Sequence, residues 1–359
     1  MILLLEPVKK CMLVLYFFFT FFVSLLLTPL VALVMQKIDI VDRPTQKRKI
    51  HKKNIPLAGG LAIFLTFFLF IFWALFIGKN IGTDITSHHI WGIFFGGLIL
   101  MIGGLLDDKY TLSPGKQIWF PVLASIVVLG FGIGLESVTS PFGGALLLDT
   151  FSFSLFGLGN FLLLADILVF FWLMSMMFTT KLLDGMDGLS TGIITIGAIV
   201  VFFLSQQPQW FQPEVSLFAA IFIASCLGFL VWNFHPAKVF LGEGGSLFIG
   251  FILGIMAIIS GSKIATTLLV MAIPMLDVIR VIILRLKKKK SIFVGDSEHL
   301  HFRLLNSGLG QRQAVLLLYS IAFVFGISTL FLQTNQKLIA LLFLFILMLL
   351  LALFFSRKN

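Results

Sequence analysis

Eleven apolar runs dominate the chain, near residues 11–35, 58–78, 89–106, 118–134, 161–180, 187–205, 215–233, 246–261, 264–285, 314–332 and 337–355. Each is close to the roughly 20 residues that a helix needs to cross a bilayer. In hydrocarbon the backbone has to satisfy its own hydrogen bonds, so only helices and closed barrels can span. No segment shows the alternation of a barrel strand over about ten residues. The expected fold class is therefore all-α: a polytopic membrane helical bundle of about eleven transmembrane helices, forming a single integral membrane domain over residues 1–359.

Composition agrees with that reading. Apolar residues make up 59% of the chain and charged ones 12%, about half the charged share of a soluble domain. That balance excludes a soluble enzyme, a disordered chain and a fibrous repeat. The first run is too long for a signal-peptide core and lacks a clear cleavage site, so it is expected to be a span. Cys11 and Cys226 lie in separate apolar runs and suggest neither a disulfide nor a zinc site.

Sidedness follows from the basic residues. With loop 36–57 placed in the cytoplasm, of the 26 Lys and Arg residues only Lys9, Lys10, Lys79, Lys263 and Lys337 fall outside. The chain then reads as a multi-pass protein of the inner or plasma membrane, N-terminus external and C-terminus cytoplasmic. Most acids share the basic face, including Asp107, Asp108, Asp184, Asp187, Glu243 and Asp277, which topology alone does not require. On the outer side, Leu135 to Asn160 is rich in Gly, Ser, Thr and Phe and is read as a short hairpin or interfacial flap.

Five cytoplasmic loops carry the chemistry-bearing residues. The first, RPTQKRKIHKKNIPLAGG (43–60), adds His51 and the paired Gly59-Gly60 to a basic run of the kind that meets anionic headgroups. Such glycines permit close backbone approach, as a phosphate site would want. The second, GGLLDDKYTLSPGKQ (103–117), places Asp107 beside Asp108 at the end of a span, and Ser113-Pro114 starts a new helix. Neighbouring carboxylates there suit a proton acceptor or a magnesium ligand. In the third, FTTKLLDGMDGLSTG (178–192), Asp184 and Asp187 are three apart and would share one face if helical. Carboxylates at such a junction suit Mg²⁺, which takes oxygen ligands and shares them with phosphate. The fourth, NFHPAKVFLGEGGSLFIG (233–250), sets Glu243 among glycines at a helix start, after Asn233 and His235. In the fifth, DVIRVIILRLKKKKSIFVGDSEHLHFRLL (277–305), Asp277 and Arg280 could simply neutralise each other. His299, His301 and Arg303 suit a substrate phosphate better than zinc.

These loops, in this order, resemble the polyprenyl-phosphate N-acetylhexosamine-1-phosphate transferase family (glycosyltransferase family 4 type) from Arg43 to Gln313. The matching stretches are RKIHKKNIPLAGG (48–60), LLDDKYTLSPGK (105–116), LLDGMDGLSTG (182–192), VFLGEGGS (239–246) and HLHFRLLNSGLGQRQA (299–314). The HLHFRL stretch looks like the branch that uses simple UDP-N-acetylhexosamines, as in O-antigen or teichoic-acid initiation. The alternative branch makes the peptidoglycan precursor from a UDP-muramoyl-pentapeptide and carries a run of histidines there. Rivals from other classes are a transporter or flippase, and a non-catalytic binder of lipid-linked sugar.

The resemblance implies transfer of a sugar 1-phosphate, GlcNAc-1-phosphate by this branch, from a UDP-sugar to undecaprenyl or another polyprenyl phosphate, releasing UMP and starting a cell-envelope polysaccharide. It implies an active site in the cytoplasmic loops. Asp107, Asp108, Asp184 and Asp187 are then candidates for the chemical step. His51, Lys181, Asn233, His299, His301 and Arg303 are candidates for substrate binding. Glu243, Asp184 and Asp187 would hold Mg²⁺, for which Mn²⁺ can stand in. The expected partners are the lipid phosphate, the UDP-sugar and the membrane, without nucleic acid, and a bundle of this kind can pair as a homodimer. Three positions depart from the family pattern. Phe178 and Lys181 replace two Asn, Glu243 replaces an Asp, and Phe302 replaces a third His. Lys181 is expected to ion-pair with the longer Glu243.

Overall fold

Where they are described, the apolar runs close their hydrogen bonds mainly as helices. The computed structural model describes residues 2–44, 53–57, 59–135, 137–139, 145–147, 152–154, 160–261, 264–289, 299–332, 336–337, 339–346 and 350. In chain order the helices are α1 (Ile2–Lys37), α2 (Gly59–Phe72), α3 (Ser87–Tyr110), α4 (Pro114–Gln117), α5 (Trp119–Gly130) and α6 (Leu163–Leu183). They continue with α7 (Leu189–Ser205), α8 (Pro213–Asn233), α9 (Glu243–Ile259), α10 (Ile264–Lys287), α11 (Leu300–Asn306) and α12 (Gln311–Ser328). A π-helical turn, Trp73–Ile77, extends α2.

Among the described residues seven helices are long and apolar enough to cross a membrane. Three of the expected spans are instead shorter apolar helices, Pro114–Gly130, Leu189–Ser205 and Glu243–Ile259. The eleventh run lies partly outside the described residues, with 339–346 helical. Among the described residues, strands form three small antiparallel pairs. Val41–Asp42 (β1) pairs with Ile55–Pro56 (β2), Ser137–Thr139 (β3) with Ala145–Leu147 (β4), and Ser152–Ser154 (β5) with Asn160–Leu162 (β6). The last two pairs give the expected outer segment its hairpins.

α8 and α9 form the centre, because both are apolar on every side and such a helix has to be buried. From Gly244 to Ile258 every residue of α9 is buried. α8 lies against α1, α2 and α7, and α9 against α2, α3, α6 and α7. The abundant Phe fills this centre edge to face, as ring quadrupoles prefer. Phe67 meets Phe218 with centroids 5.1 Å apart at 85°, and Phe64 meets Phe248 at 5.4 Å.

Lipid tails supply no hydrophobic drive between helices, so small residues and interhelical hydrogen bonds set the crossings. Ser24 Oγ on α1 donates to the Ser225 carbonyl on α8 at 2.6 Å, and Trp232 Nε1 donates to the Leu25 carbonyl at 2.9 Å. Where α8 begins, buried Glu214 gathers the loop before α3. It accepts from the amides of Gly82, Thr83, Asp84 and Ile85 at 2.7–3.2 Å and from the Thr83 hydroxyl.

The tightest crossing puts Gly104 of α3 on the first turn of α9. A Cβ there would fall on the backbone N and Cα of Gly244, which cannot swing aside as a side chain would. Gly104→Ala is therefore expected to destabilise the protein by about 1–3 kcal/mol, the cost of overpacking. Glu214→Ala strands its donors and is expected to cost about 3 kcal/mol. Thermal unfolding in detergent measures both.

Candidate functional site

The loops meet at one end of the bundle, and backbone pairing joins the first to the fourth. The Gly59 and Gly60 amides donate to the carbonyls of Phe240 (2.9 Å) and Leu241 (2.8 Å), and Phe240 N donates to the Pro56 carbonyl at 3.0 Å. This corrects the phosphate-cradle reading of Gly59-Gly60, since both amides are spent inside the protein. The close approach those glycines permit is to other parts of the chain. A Cβ on Gly60 would overlap Gly245, and one on Gly59 would overlap the Phe229 ring. His51 lies outside the described residues.

The seating of α9 brings Glu243 to the end of α3. Asp108 accepts from the Glu243 amide at 3.2 and 3.3 Å, so a carboxylate from a neighbouring helix sits at the positive end of α9. Asp107 Oδ1 accepts from Leu112 N at 2.8 Å and from Gln117 Nε2 at 2.9 Å. Gln117 Oε1 in turn accepts from Lys181 Nζ at 2.9 Å. The expected ion pair is present, with Lys181 Nζ 2.8 Å from Glu243 Oε2 and 3.9 Å from Asp107 Oδ2. Gln117 thus links Asp107 to Lys181. Its residue type alone gave no signal, beyond its place at the end of the acidic loop.

Asp184 and Asp187 do not share a helix face. α6 ends at Leu183 and α7 starts at Leu189, with Gly188 between them at φ +77°, a left-handed conformation that glycine adopts freely. Asp187 Oδ2 is 2.7 Å from His235 Nδ1 and accepts from Ala237 N at 3.1 Å. Buried Asn233 accepts from Gly188 N at 3.1 Å and donates to the Val239 carbonyl at 3.0 Å. Both ends of its amide are engaged, so what it does here is tie the third loop to the fourth. Tyr319 Oη on α12 donates to the Gly188 carbonyl, and Arg312 Nε donates to the His235 carbonyl at 2.9 Å. Asp184 meets no side-chain donor among the described residues. Lost hydration, then the Glu243 and Asp187 carboxylates, push its carboxyl up to about 8.

The fifth loop docks on the third. Asp277 Oδ1 accepts from Arg280 at 2.8 and 3.2 Å, the expected neutralising pair. Its Oδ2 also engages His299 Nδ1 at 2.9 Å and the Leu300 amide at 3.0 Å, which orients the His-x-His segment. The two imidazoles stack, with centroids 5.6 Å apart and planes 8° from parallel. His301 is buried, its Nε2 has no hydrogen-bond partner and it points at Gly185, where a Cβ would collide with it. Burial, then the neighbouring His299, lowers its pKa to about 4. Arg303 is half-buried on the same short helix α11.

The donor set can be tested against a hard divalent cation. Both oxygens of Asp108 share the Glu243 amide, Asp107 hydrogen-bonds through Oδ1 alone with Oδ2 3.9 Å from Lys181, and Asp187 and Glu243 each have one oxygen engaged. Among the described residues Asp184 meets no side-chain donor, and burial, then the Glu243 and Asp187 carboxylates, disfavours its charged form. Among the described residues no three His, Cys, Asp or Glu side chains enclose a metal by themselves. Mg²⁺ typically keeps its waters and takes one or two carboxylates plus substrate phosphates. Asp184, with Glu243 or Asp187, fits that mode.

A bundle of apolar helices whose acids, one ammonium and paired imidazoles converge at one end is a membrane protein built to receive anionic headgroups and phosphates. Residues 90–261 match glycosyl transferase family 4. The chain is 31% identical over 329 residues to a probable undecaprenyl-phosphate N-acetylglucosaminyl 1-phosphate transferase of Bacillus subtilis (strain 168), covering 90% of this chain and 86% of that one. It is 28% identical to a decaprenyl-phosphate N-acetylglucosaminephosphotransferase of Mycobacterium leprae (81% and 76% covered). It is 29% identical to a phospho-N-acetylmuramoyl-pentapeptide-transferase of Borreliella burgdorferi (87% and 92% covered). The chain belongs to glycosyl transferase family 4, a family of enzymes.

His301 gives the site a signed pH dependence. Its folded pKa of about 4 lies below the ordinary 6.5, so the unfolded chain binds the proton first as pH falls. Stability from this group is complete above pH 6.5 and lost on acidification toward pH 4, by about 3 kcal/mol in full. His301→Gln is expected to remove that part of the pH slope, read from unfolding temperatures in detergent at matched pH.

Proposed function

We propose that the chain transfers N-acetylglucosamine 1-phosphate from UDP-GlcNAc to polyprenyl phosphate, forming polyprenyl-diphosphate-GlcNAc and releasing UMP. The observation that carries this reading is the joining of the acidic second, third and fourth loops by Lys181, Gln117 and Asn233 at one end of the bundle, with the His-x-His segment docked on them. The lipid enters laterally from the bilayer and the nucleotide sugar from water, so both anionic heads can meet only at a membrane boundary of this kind. A lipid phosphate oxygen attacks the sugar-proximal phosphorus, and the bond to the UMP phosphate breaks.

Such a transfer depends mainly on positioning and on spreading charge. Lys181 places a positive charge beside Glu243. The α9 N-terminus begins in the same place, and Asp108 holds it there. Asp277 orients His299, and His301, packed on Gly185, and Arg303 on the same helix are candidate groups for the sugar or its phosphates. Asp184, with Glu243 or Asp187, would hold Mg²⁺, or Mn²⁺ in its place. When bound, that ion supplies Lewis-acid neutralisation of the diphosphate.

The bias of basic residues toward these loops supports a cytoplasmic site in a plasma or inner membrane, with the N-terminus outside. A homodimer belongs to the same proposal and is read from the mass of the solubilised particle. The purified chain in detergent, given undecaprenyl phosphate, is expected to release UMP from UDP-GlcNAc. No release from UDP-GlcNAc with turnover of UDP-MurNAc-pentapeptide would move the reading to the peptidoglycan branch. No release from either would overturn it. Asp184→Asn is expected to cut release by at least about 100-fold, in the range of lost electrostatic stabilisation.

A further inference from the structure

Lys181 is not a loose surface cation. It stands in the last turn of α6 with its side chain 18% exposed, and one amide oxygen and two carboxylate oxygens lie within 4 Å of its ammonium. Glu243 Oε2 lies at 2.8 Å, Gln117 Oε1 at 2.9 Å and Asp107 Oδ2 at 3.9 Å. Gln117 is held in turn, since its Nε2 donates to Asp107 Oδ1 at 2.9 Å and to the Leu112 carbonyl at 2.8 Å. The second acidic loop therefore aims the ammonium at Glu243. On the other side Glu243 is anchored by its own amide on Asp108. A cation so placed takes up one oxygen of a carboxylate that could otherwise face a metal ion. It also repels any second cation approaching the same group.

We propose that Lys181 is a resident cation of this site, neutralising Glu243 and Asp107 in the substrate-free protein and thereby weakening its hold on a divalent metal ion. Asp184, which meets no side-chain donor among the described residues, is then the carboxylate through which a metal ion enters together with a nucleotide diphosphate. The last step rests on the transferase reading; the competition between ammonium and metal does not.

The test is direct binding of Mn²⁺ to the full-length chain in detergent, without substrate, followed by the paramagnetic resonance signal of free Mn²⁺. Wild type and Lys181→Arg are expected to bind weakly and alike. Lys181→Met, which removes the charge and keeps most of the bulk, is expected to bind about tenfold more tightly, because two carboxylates lose their counter-charge. Lys181→Asn supplies the same test with a shorter neutral side chain should the Met variant fold poorly. Adding Glu243→Gln to Lys181→Met is expected to abolish the gain. Binding by both neutral variants no tighter than wild type would overturn the proposal. So would equal tightening by Lys181→Arg, which keeps the charge. UMP release is not part of this readout, so failure of the transferase assay and failure of this proposal are separate results.

Discussion

The seating of the first turn of α9 is the constraint on which the rest of the site depends. Gly244 lies on Gly104 and Gly245 on Gly60, backbone against backbone, with no room for a Cβ at either crossing. That contact fixes three helices at one point near the membrane boundary. It delivers Glu243 to Lys181 and its amide to Asp108. The depth of the site follows too. At 17 residues α9 is about 25 Å long, shorter than the roughly 30 Å of bilayer hydrocarbon. α7 has the same length and also begins at the loop end. Two short central helices thus bring their positive N-termini to the place where the acids gather.

The site divides into groups that are spent and groups that are not. Asp107 and Asp277 fasten their own loops, to Leu112 and Gln117 and to Arg280, His299 and Leu300, while Asp108 and Asn233 tie one loop to another. Among the described residues Asp184 meets no side-chain donor, and the buried His301 Nε2 and Glu243 Oε2 have no hydrogen-bond partner, although Glu243 Oε2 is ion-paired with Lys181. Leaving such groups unsatisfied costs free energy. His301 faces Gly185, the neighbour of Asp184 in the chain, so both groups belong to the third-loop turn that the fasteners hold.

Much of this was legible beforehand. The apolar runs announced the helical bundle because hydrocarbon leaves the backbone no alternative. The loops at 103–117, 178–192, 233–250 and 277–305 announced the site, since charge is scarce in a membrane chain and these loops concentrate it. The Lys181–Glu243 pair could be anticipated from two paired departures from the family pattern. Gln117 and His235 could not be ranked, because a neutral amide or a lone His looks the same whether it faces water or a carboxylate. Gly59-Gly60 misled for a related reason. A glycine pair reports that something comes close, without saying whether it is a phosphate or another helix.

What the sequence by itself determined is the class of fold and the end of the bundle where chemistry gathers, because hydropathy and charge are properties of each segment taken alone. Tertiary structure alone decided which helix meets which, and which acids remain free to receive a cation. α9 is apolar on every side, so its pattern names no preferred neighbour. Its partners were chosen by glycines that let backbones touch, and such complementarity exists only between two surfaces already brought together.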